Sequence, residues 1–96
     1  MALYTFIMEY SGGTYISQVR SQSPKPAIKK WLKKLVNDST LELSAKTKID
    51  IERELIDEIP TPIEGISKTW SVSASVQSKL ALVNFVQTHE KIENQE

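Results

Sequence analysis

The 96-residue sequence has little of several residue types that carry chemistry: it contains no cysteine, one histidine and three glycines. The absence of cysteine excludes disulfide bonds, thiol catalysis and cysteine-ligated zinc, and it is compatible with a reducing cytoplasm. The single histidine, His89, has no neighbours that would complete a nucleophile or a metal-ligand set. Gly12-Gly13 lacks the helix start and the lysine of a phosphate-binding loop. We therefore expect no enzymatic activity, no cofactor and no bound metal.

The sequence also has no net charge, because 12 basic residues offset 12 acidic ones. The composition as a whole therefore indicates no charged partner. No stretch approaches the roughly 20 apolar residues that a membrane span needs, and Thr5 and Glu9 interrupt any signal-like run at the N-terminus. We expect a cytoplasmic protein with no membrane association. Its length fits one domain over residues 1–88, followed by a polar, disordered tail over residues 89–96.

The chain opens with a segment, Leu3 to Arg20, that is typical of a β-hairpin. Two runs rich in aromatic and β-branched residues flank Gly12-Gly13, and glycine reaches the positive φ angles of a tight turn. Whether the loop is Gly12-Gly13 or Ser11 to Thr14, the pairing places Tyr10 opposite Tyr15. Alternation of side chains then predicts one apolar face, made of Tyr4, Phe6, Met8, Tyr10, Tyr15 and Val19. An isolated hairpin is marginally stable, so this face needs a cover.

The same hairpin carries a family resemblance. The stretch Tyr4-Thr5-Phe6-Ile7-Met8-Glu9-Tyr10-Ser11-Gly12-Gly13-Thr14-Tyr15-Ile16 resembles the opening hairpin of HicB-type antitoxins, small proteins in which a partial RNase-H-like domain binds a toxin. Those proteins continue with a Pro-Asp-Leu-Pro-Gly stretch, whereas this chain enters its first helix through Ser21-Gln22-Ser23-Pro24-Lys25-Pro26. The resemblance covers only the hairpin, and it implies a protein-binding role like that of an antitoxin or an immunity protein.

Two helices are expected in the middle of the chain. The first begins near Pro24, and its apolar residues recur at three- and four-residue spacing at Ala27, Ile28, Trp31, Leu32, Leu35 and Val36. This stripe is the natural cover for the hairpin. The second helix is expected over residues 45–59, with Ile51 off a face made of Ala45, Ile49, Leu55, Ile56 and Ile59. Pro60 and Pro62 end it and impose an extended crossing loop.

The last part of the chain is typical of a second hairpin. From Ile66 to Val76, apolar residues alternate with hydroxyl residues, and Gln77-Ser78 forms the turn into the last strand. This pairing sets Trp70 opposite Phe85, and we expect Trp70 to be the central anchor that also contacts the stripe of the first helix. The element order β-β-α-α-β-β predicts an α+β fold with a four-stranded antiparallel sheet and both helices on one face.

A sheet covered on one face leaves its second face exposed. The second hairpin places hydroxyl and aliphatic side chains there, and an exposed patch of this kind often marks an interface. The candidate interface residues are Ser71, Ser73, Leu80, Leu82 and Val86. We expect a non-enzymatic domain that binds another protein or a second copy of itself.

The charges are segregated along the chain, since the first helix is basic and the segment from Asp50 to Glu64 is acidic. A basic helix can follow a phosphate backbone, which makes nucleic-acid contact the alternative function. The candidate contact residues are Lys25, Lys29, Lys30, Lys33 and Lys34. These lysines could equally solvate an amphipathic helix or neutralise the acidic helix beside them. The near-neutral composition favours protein binding over nucleic-acid binding.

Overall fold

The structure is a computed structural model that describes residues 1–90. It has an α+β fold with two helices and a five-stranded antiparallel sheet of strand order β2-β1-β5-β4-β3. Residues 91–96, most of the expected tail, lie outside the described part. The elements in chain order are β1 (Ala2–Tyr10), β2 (Gly13–Ser21), α1 (Pro24–Asn37), α2 (Ala45–Leu55), β3 (Thr61–Pro62), β4 (Thr69–Val76) and β5 (Lys79–Thr88).

The sheet has one strand more than the four predicted. The additional strand, β3, lies in the segment interpreted as a crossing loop, and it pairs Thr61 with Ser71 and Pro62 with Trp70. The Ile63 N–H extends this pairing with a hydrogen bond of 3.0 Å to the Thr69 carbonyl oxygen. Proline has no N–H to donate, so it is tolerated only at the edge of a sheet. The crossing segment is therefore extended, as predicted, and becomes a short edge strand because it runs beside β4.

The first hairpin forms, but its register differs from the prediction by two residues. Tyr10 pairs with Gly13 and Met8 with Tyr15, so the predicted pairing of Tyr10 with Tyr15 was wrong. The turn residues are Ser11 and Gly12, with φ angles of 51° and 83°. Serine takes one of the two positive-φ positions, which frees Gly13 to begin β2. A shift of two residues preserves the faces, so the predicted apolar face stays inward.

Gly13 has a packing role in place of the predicted turn role. The ring of Tyr15 lies over its backbone, and a Cβ at position 13 would be 2.7 Å from the Tyr15 hydroxyl oxygen. No side chain fits at that distance without moving the ring. The Gly-Gly pair therefore serves two purposes, one residue in the turn and one under an aromatic ring.

The second hairpin has the predicted turn and the predicted pairs. Gln77 and Ser78 both adopt positive φ angles, 53° and 65°, and Trp70 is opposite Phe85. Strand β4 begins at Thr69 and not at Ile66, which is 60% exposed. Lys68, with a φ angle of 55°, forms part of the bend that precedes the strand.

The core is built around Phe6 and not around Trp70. Phe6 stacks between Trp31 of α1 and Phe85 of β5, with ring centroids 5.0 and 4.4 Å away. Trp70 is only half-buried; it stacks on Phe85 at 5.5 Å and makes a tilted contact with Tyr4 at 5.9 Å. The prediction of Trp70 as central anchor was wrong, because Phe6 lies on β1 between two long strands, whereas Trp70 lies on β4 beside the edge strand β3. Its predicted pairing with Phe85 is confirmed.

The second helix is shorter than predicted and buries a different face. It ends at Leu55, and its buried residues are Lys48, Asp50, Ile51 and Leu55. Ile49 is 51% exposed and Ile59 is 72% exposed, so the predicted face was wrong at these two residues, although Leu55 is buried as predicted. Ser44 caps the N-terminus of the helix, because its hydroxyl oxygen accepts a 3.1 Å hydrogen bond from the Thr47 N–H. Hydrogen bonds of the buried Lys48 and Asp50 contribute to its orientation.

Candidate protein-binding surface

The sheet has two unlike faces. One face packs on α1 and α2 and contributes to a single apolar cluster. On the other face, within the described residues, no helix or loop forms a covering layer. We call this second surface the open face; its residues are Leu3, Thr5, Ile7, Glu9, Thr14, Ile16, Gln18, Arg20, Thr69, Ser71, Ser73, Ser75, Leu80, Leu82, Asn84, Val86 and Thr88.

All five predicted interface residues lie on the open face. Ser73 is paired with Leu82, and the two neighbouring cross-strand pairs along the hairpin are Ser71 with Asn84 and Ser75 with Leu80. Val86 follows on the same strand, opposite Thr69. Leu80 is 62% exposed, whereas Leu82 and Val86 are half-buried. The structure thus brings Ser71, Ser73, Leu80, Leu82 and Val86 together on one continuous patch of β4 and β5.

The patch extends onto the first hairpin, which the sequence prediction did not include. Ile7 of β1 is paired on one side with Asn84 and on the other side with Ile16, which is 65% exposed. A shallow depression of about 160 Å³ lies between Ile7, Asn84 and Val86, and its lining is mostly apolar. Alternation in β1 and β2 already places Ile7 and Ile16 on one face. The long-range pairing of β1 with β5 is what joins them to Leu82 and Val86.

Hydrogen bonds join three of the polar side chains on the open face, Thr5, Gln18 and Thr88. The Gln18 amide donates a 2.9 Å hydrogen bond to the Thr5 hydroxyl, which also contacts the Thr88 hydroxyl. The charged residues of the face are Glu9 and Arg20. Arg20 forms an ion pair with Glu90, and this contact holds the pKa of the Glu90 carboxyl below its ordinary value. Glu9 is exposed and lies directly opposite Leu82.

The five predicted nucleic-acid contact residues lie on the exposed side of α1, but the structure separates them into two groups. The Lys30 and Lys34 ammonium groups donate 3.0 Å hydrogen bonds to the carbonyl oxygens of Arg20 and Gln18. These carbonyls belong to the edge strand β2, so the two lysines shield an unpaired sheet edge. The three other lysines have no carboxylate within salt-bridge distance among residues 1–90; they are Lys25, Lys29 and Lys33.

One of the acidic residues of the second helix is not on a solvated surface. The buried Asp50 carboxylate accepts hydrogen bonds from the Gln77 amide at 2.9 Å and the Lys46 ammonium at 3.3 Å, and it lies 3.2 Å from the Arg53 guanidinium. The Gln77 hydrogen bond is the main cause that lowers the pKa of Asp50. These contacts tie the start of α2 to the β4–β5 turn. Ion pairs between α1 lysines and α2 carboxylates are absent from the described residues.

No cluster in the described part of the chain has the composition of a metal site, since no three His, Cys, Asp or Glu residues converge there. His89 is exposed near one end of the sheet, beside a cleft of about 290 Å³ that also includes Arg20 and Lys68. Neither α1 nor α2 has the length and apolar character needed to cross a membrane.

Comparison with known proteins yields no match, whether with protein-family models, curated sequences or solved structures. No family match therefore supports the resemblance of the first hairpin to HicB-type antitoxins. The fold alone does not indicate a function, which depends on the surfaces that the fold presents.

Proposed function

We propose that this chain is a non-enzymatic protein-binding domain and that the open face is its binding surface. The observation that carries the proposal is the continuity of aliphatic side chains across three neighbouring strands. Ile16 of β2 is paired directly with Ile7 of β1, and Leu82 and Val86 of β5 lie diagonally from Ile7, on either side of Asn84. No covering layer lies over them among residues 1–90. Extended apolar patches of this kind on a folded domain mark interaction surfaces.

The composition of the open face supports a protein partner. Its middle consists mostly of aliphatic, hydroxyl and amide side chains, with Glu9 as the one charged residue beside Leu82. Such scarcity of charge is typical of the buried centre of protein–protein interfaces. The four long strands have eight to ten residues each. From strand spacing and rise, they offer a flat area on the order of 500 Å². This area is at the lower end of what one partner contributes to a specific complex.

The proposal includes two finer features. The resemblance of β1 and β2 to the hairpin of HicB-type antitoxins supports an antitoxin- or immunity-like form of protein binding. The cysteine-free composition supports a cytoplasmic location.

The test compares two charge insertions on opposite sides of the protein. Leu82→Asp places a carboxylate in the open face, and Ile49→Asp makes the same kind of change at an exposed isoleucine of α2. Tagged versions of the wild type and both variants are used to capture proteins from the source cell, after circular dichroism has shown that all three are folded. We expect Leu82→Asp to lose captured proteins that Ile49→Asp retains. Identical captured sets would contradict a binding role for the open face.

A second candidate function, nucleic-acid contact, is supported by the spacing of the lysines that have no acidic partner. Lys25, Lys29 and Lys33 follow one another at four-residue intervals, so they form one exposed stripe along α1. Binding to phosphates through this stripe should weaken steeply as salt rises.

Gel-shift titrations with DNA and RNA at low salt test this second candidate. The Lys25→Gln/Lys29→Gln/Lys33→Gln variant should lose retardation, whereas Lys30→Gln/Lys34→Gln should keep it, because the latter pair contacts the backbone of β2. Absence of retardation with the wild type at micromolar protein, or equal loss in both variants, argues against the stripe.

A further inference from the structure

The pattern of the open face is close to self-complementary, and we propose that its partner is a second copy of this chain, stacked face to face. This inference rests on the proposed protein-binding function and specifies the partner. A symmetric dimer uses the same patch on both subunits, so the patch must match itself when rotated by 180°. The open face has the arrangement that such a rotation requires.

The middle of the open face is a row of four directly paired residues, one on each long strand. Ile16 pairs with Ile7, Ile7 with Asn84, and Asn84 with Ser71. We call these four residues the central row. A two-fold axis that lies between two stacked sheets and runs along this row sets each of its residues against the same residue of the partner. It also exchanges the positions two residues before and two residues after the row on every strand.

This exchange matches apolar with apolar and polar with polar. On β5, Leu82 and Val86 flank Asn84, so Leu82 is set against Val86 of the partner subunit. On β1, Glu9 is set against Thr5 of the partner subunit, so no like charges oppose each other. The remaining exchanged pairs are hydroxyl or amide residues, namely Thr14 with Gln18 on β2 and Ser73 with Thr69 on β4.

The size of the face fits a weak dimer. Two faces of about 500 Å² each would bury on the order of 1,000 Å² in total, which is close to the minimum for a specific protein interface. Two stacked sheets of this kind form a β-sandwich-like core with the sheets about 10 Å apart. We therefore expect dissociation in the micromolar range, with monomer and dimer both present at ordinary laboratory concentrations.

Pairing through the sheet edges is less favourable than pairing through the faces. At one edge, Lys30 and Lys34 already occupy the outward carbonyl oxygens of Arg20 and Gln18. At the other edge, β3 pairs with the Trp70–Ser71 end of β4. Both edges are thus partly blocked, as in proteins that avoid edge-to-edge association. The open face has no equivalent obstruction in the described part of the chain.

The first experiment places a charge on the proposed axis. Asn84→Asp changes no side-chain volume but sets two carboxylates against each other across the two-fold axis. Sedimentation velocity of the purified chain over a concentration series should show wild-type dimerisation, and Asn84→Asp should weaken it about tenfold or more at neutral pH. Below about pH 4 the carboxylates are protonated, and the variant should again associate as the wild type does at that pH.

The matched control is Asn37→Asp, the same substitution at an exposed residue of α1 on the opposite side of the sheet. It should dimerise like the wild type. A dimer that Asn84→Asp leaves intact, or that Asn37→Asp weakens equally, would overturn the proposed axis.

The second experiment uses the absence of native cysteine. Thr14→Cys and Gln18→Cys are made separately, purified, mixed and treated with a short bismaleimide linker. The mixture should give cross-linked dimers of one chain of each kind. Thr14→Cys alone should not, because its two copies would be offset by about 13 Å along the strands in addition to the sheet separation. Equal cross-linking of Thr14→Cys with itself would rule out this axis.

The outcomes also separate this inference from the proposed function. A purified wild-type chain that stays monomeric up to millimolar concentration excludes the second copy as partner. If Leu82→Asp nevertheless loses captured proteins that Ile49→Asp retains, protein binding through the open face stands with a different partner. If neither effect occurs, both proposals fail.

Discussion

The two helices lie side by side on the same face of the sheet, but different contacts hold them there. Helix α1 buries five apolar residues along one stripe: Ala27, Ile28, Trp31, Leu32 and Leu35. Helix α2 buries only Ile51 and Leu55 from its apolar residues, together with Lys48 and Asp50. The Lys48 ammonium donates a 2.8 Å hydrogen bond to the Asp38 carbonyl oxygen, and Asp50 accepts one from Gln77. Apolar packing orients α1, whereas polar contacts in the first half of α2 contribute to the orientation of that helix.

This difference explains why hydrophobic periodicity predicted one helix face and not the other. Periodicity finds the buried face when the apolar residues outnumber every other buried group on the helix. In α2 the exposed Ile49 adds an apolar signal on the wrong side, and the buried Asp50 removes one from the right side. The partners of Asp50 and Lys48 lie 27 and 10 residues away along the chain, so no local pattern reveals them.

The largest effect is expected from Trp31→Ala in α1. Trp31 is 1% exposed and stacks on Phe6, so its removal leaves a large cavity at the centre of the core. Truncation of a buried tryptophan typically costs about 3–5 kcal/mol of unfolding free energy. Urea denaturation should show this loss, or an unfolded variant. Trp70→Ala should cost less, because Trp70 is half-buried; a larger loss for Trp70→Ala would restore Trp70 as the central anchor.

The parts of the fold that the sequence predicted are those set by short-range pattern. The α1 stripe, the Gln77-Ser78 turn and the inward face of both hairpins follow from spacing alone. The hairpin register was missed because Ser11, a residue with a side chain, occupies a positive-φ turn position. Strand β3 was missed because a two-residue strand containing Pro62 has no pattern of its own and exists only through its pairing with β4.

A matched pair of substitutions within α2 tests which face of this helix is buried. Ile51 is fully buried and Ile49 is 51% exposed, although only one residue separates them. Ile51→Ala should lower the unfolding free energy by about 2–4 kcal/mol, whereas Ile49→Ala should change it by less than about 0.5 kcal/mol. Urea denaturation of both variants provides the measurement. Equal losses, or a larger loss for Ile49→Ala, would mean that the sequence-based face is the correct one.

A pH series tests the polar attachment of α2. The pKa of Asp50 is lowered in the folded protein, first by the Gln77 hydrogen bond and then by Lys46 and Arg53. A lowered folded-state pKa stabilises the protein above the unfolded-state pKa, and this contribution is lost as the pH falls through the folded-state value. Asp50→Asn should therefore be less stable than the wild type at neutral pH, by less than Ile51→Ala.

The stability difference between wild type and Asp50→Asn should shrink below about pH 4, because only the wild type then gains a proton at this position. Thermal unfolding from pH 7 to pH 3 measures it. The pKa values of Asp38 and Glu90 are also lowered in the folded protein, but both residues are present in both proteins, so their contributions cancel in the difference. A difference that stays constant down to pH 3 would show that the Asp50 charge does not hold α2 in place.

Only half of the candidate surface could be predicted from the sequence, because the other half depends on pairing between strands that are distant along the chain. Ser71, Ser73, Leu80, Leu82 and Val86 belong to one hairpin, so strand alternation and a two-residue turn suffice to place them on one face. Ile7, Ile16 and Asn84 complete the central row only because β1 pairs with β5, and this pairing joins residues 77 positions apart at Ile7 and Asn84. Short-range alternation gives the face of each strand, and the long-range order of strands decides which residues become neighbours.

The smallest effect is expected from the lysines of α1, and it tests whether polar contacts contribute to the attachment of this helix too. Lys30 and Lys34 hydrogen-bond to β2, whereas Lys29 and Lys33 lie on the solvent side of the same helix. Lys30→Gln/Lys34→Gln should lose about 0.5–1 kcal/mol relative to Lys29→Gln/Lys33→Gln, since exposed hydrogen bonds contribute little to stability. Both variants lose two positive charges, so urea midpoints compare the contacts and not the charge. A loss as large as that of Ile51→Ala would mean that α1, like α2, depends on polar contacts; no difference would mean that the apolar stripe alone holds α1 on the sheet.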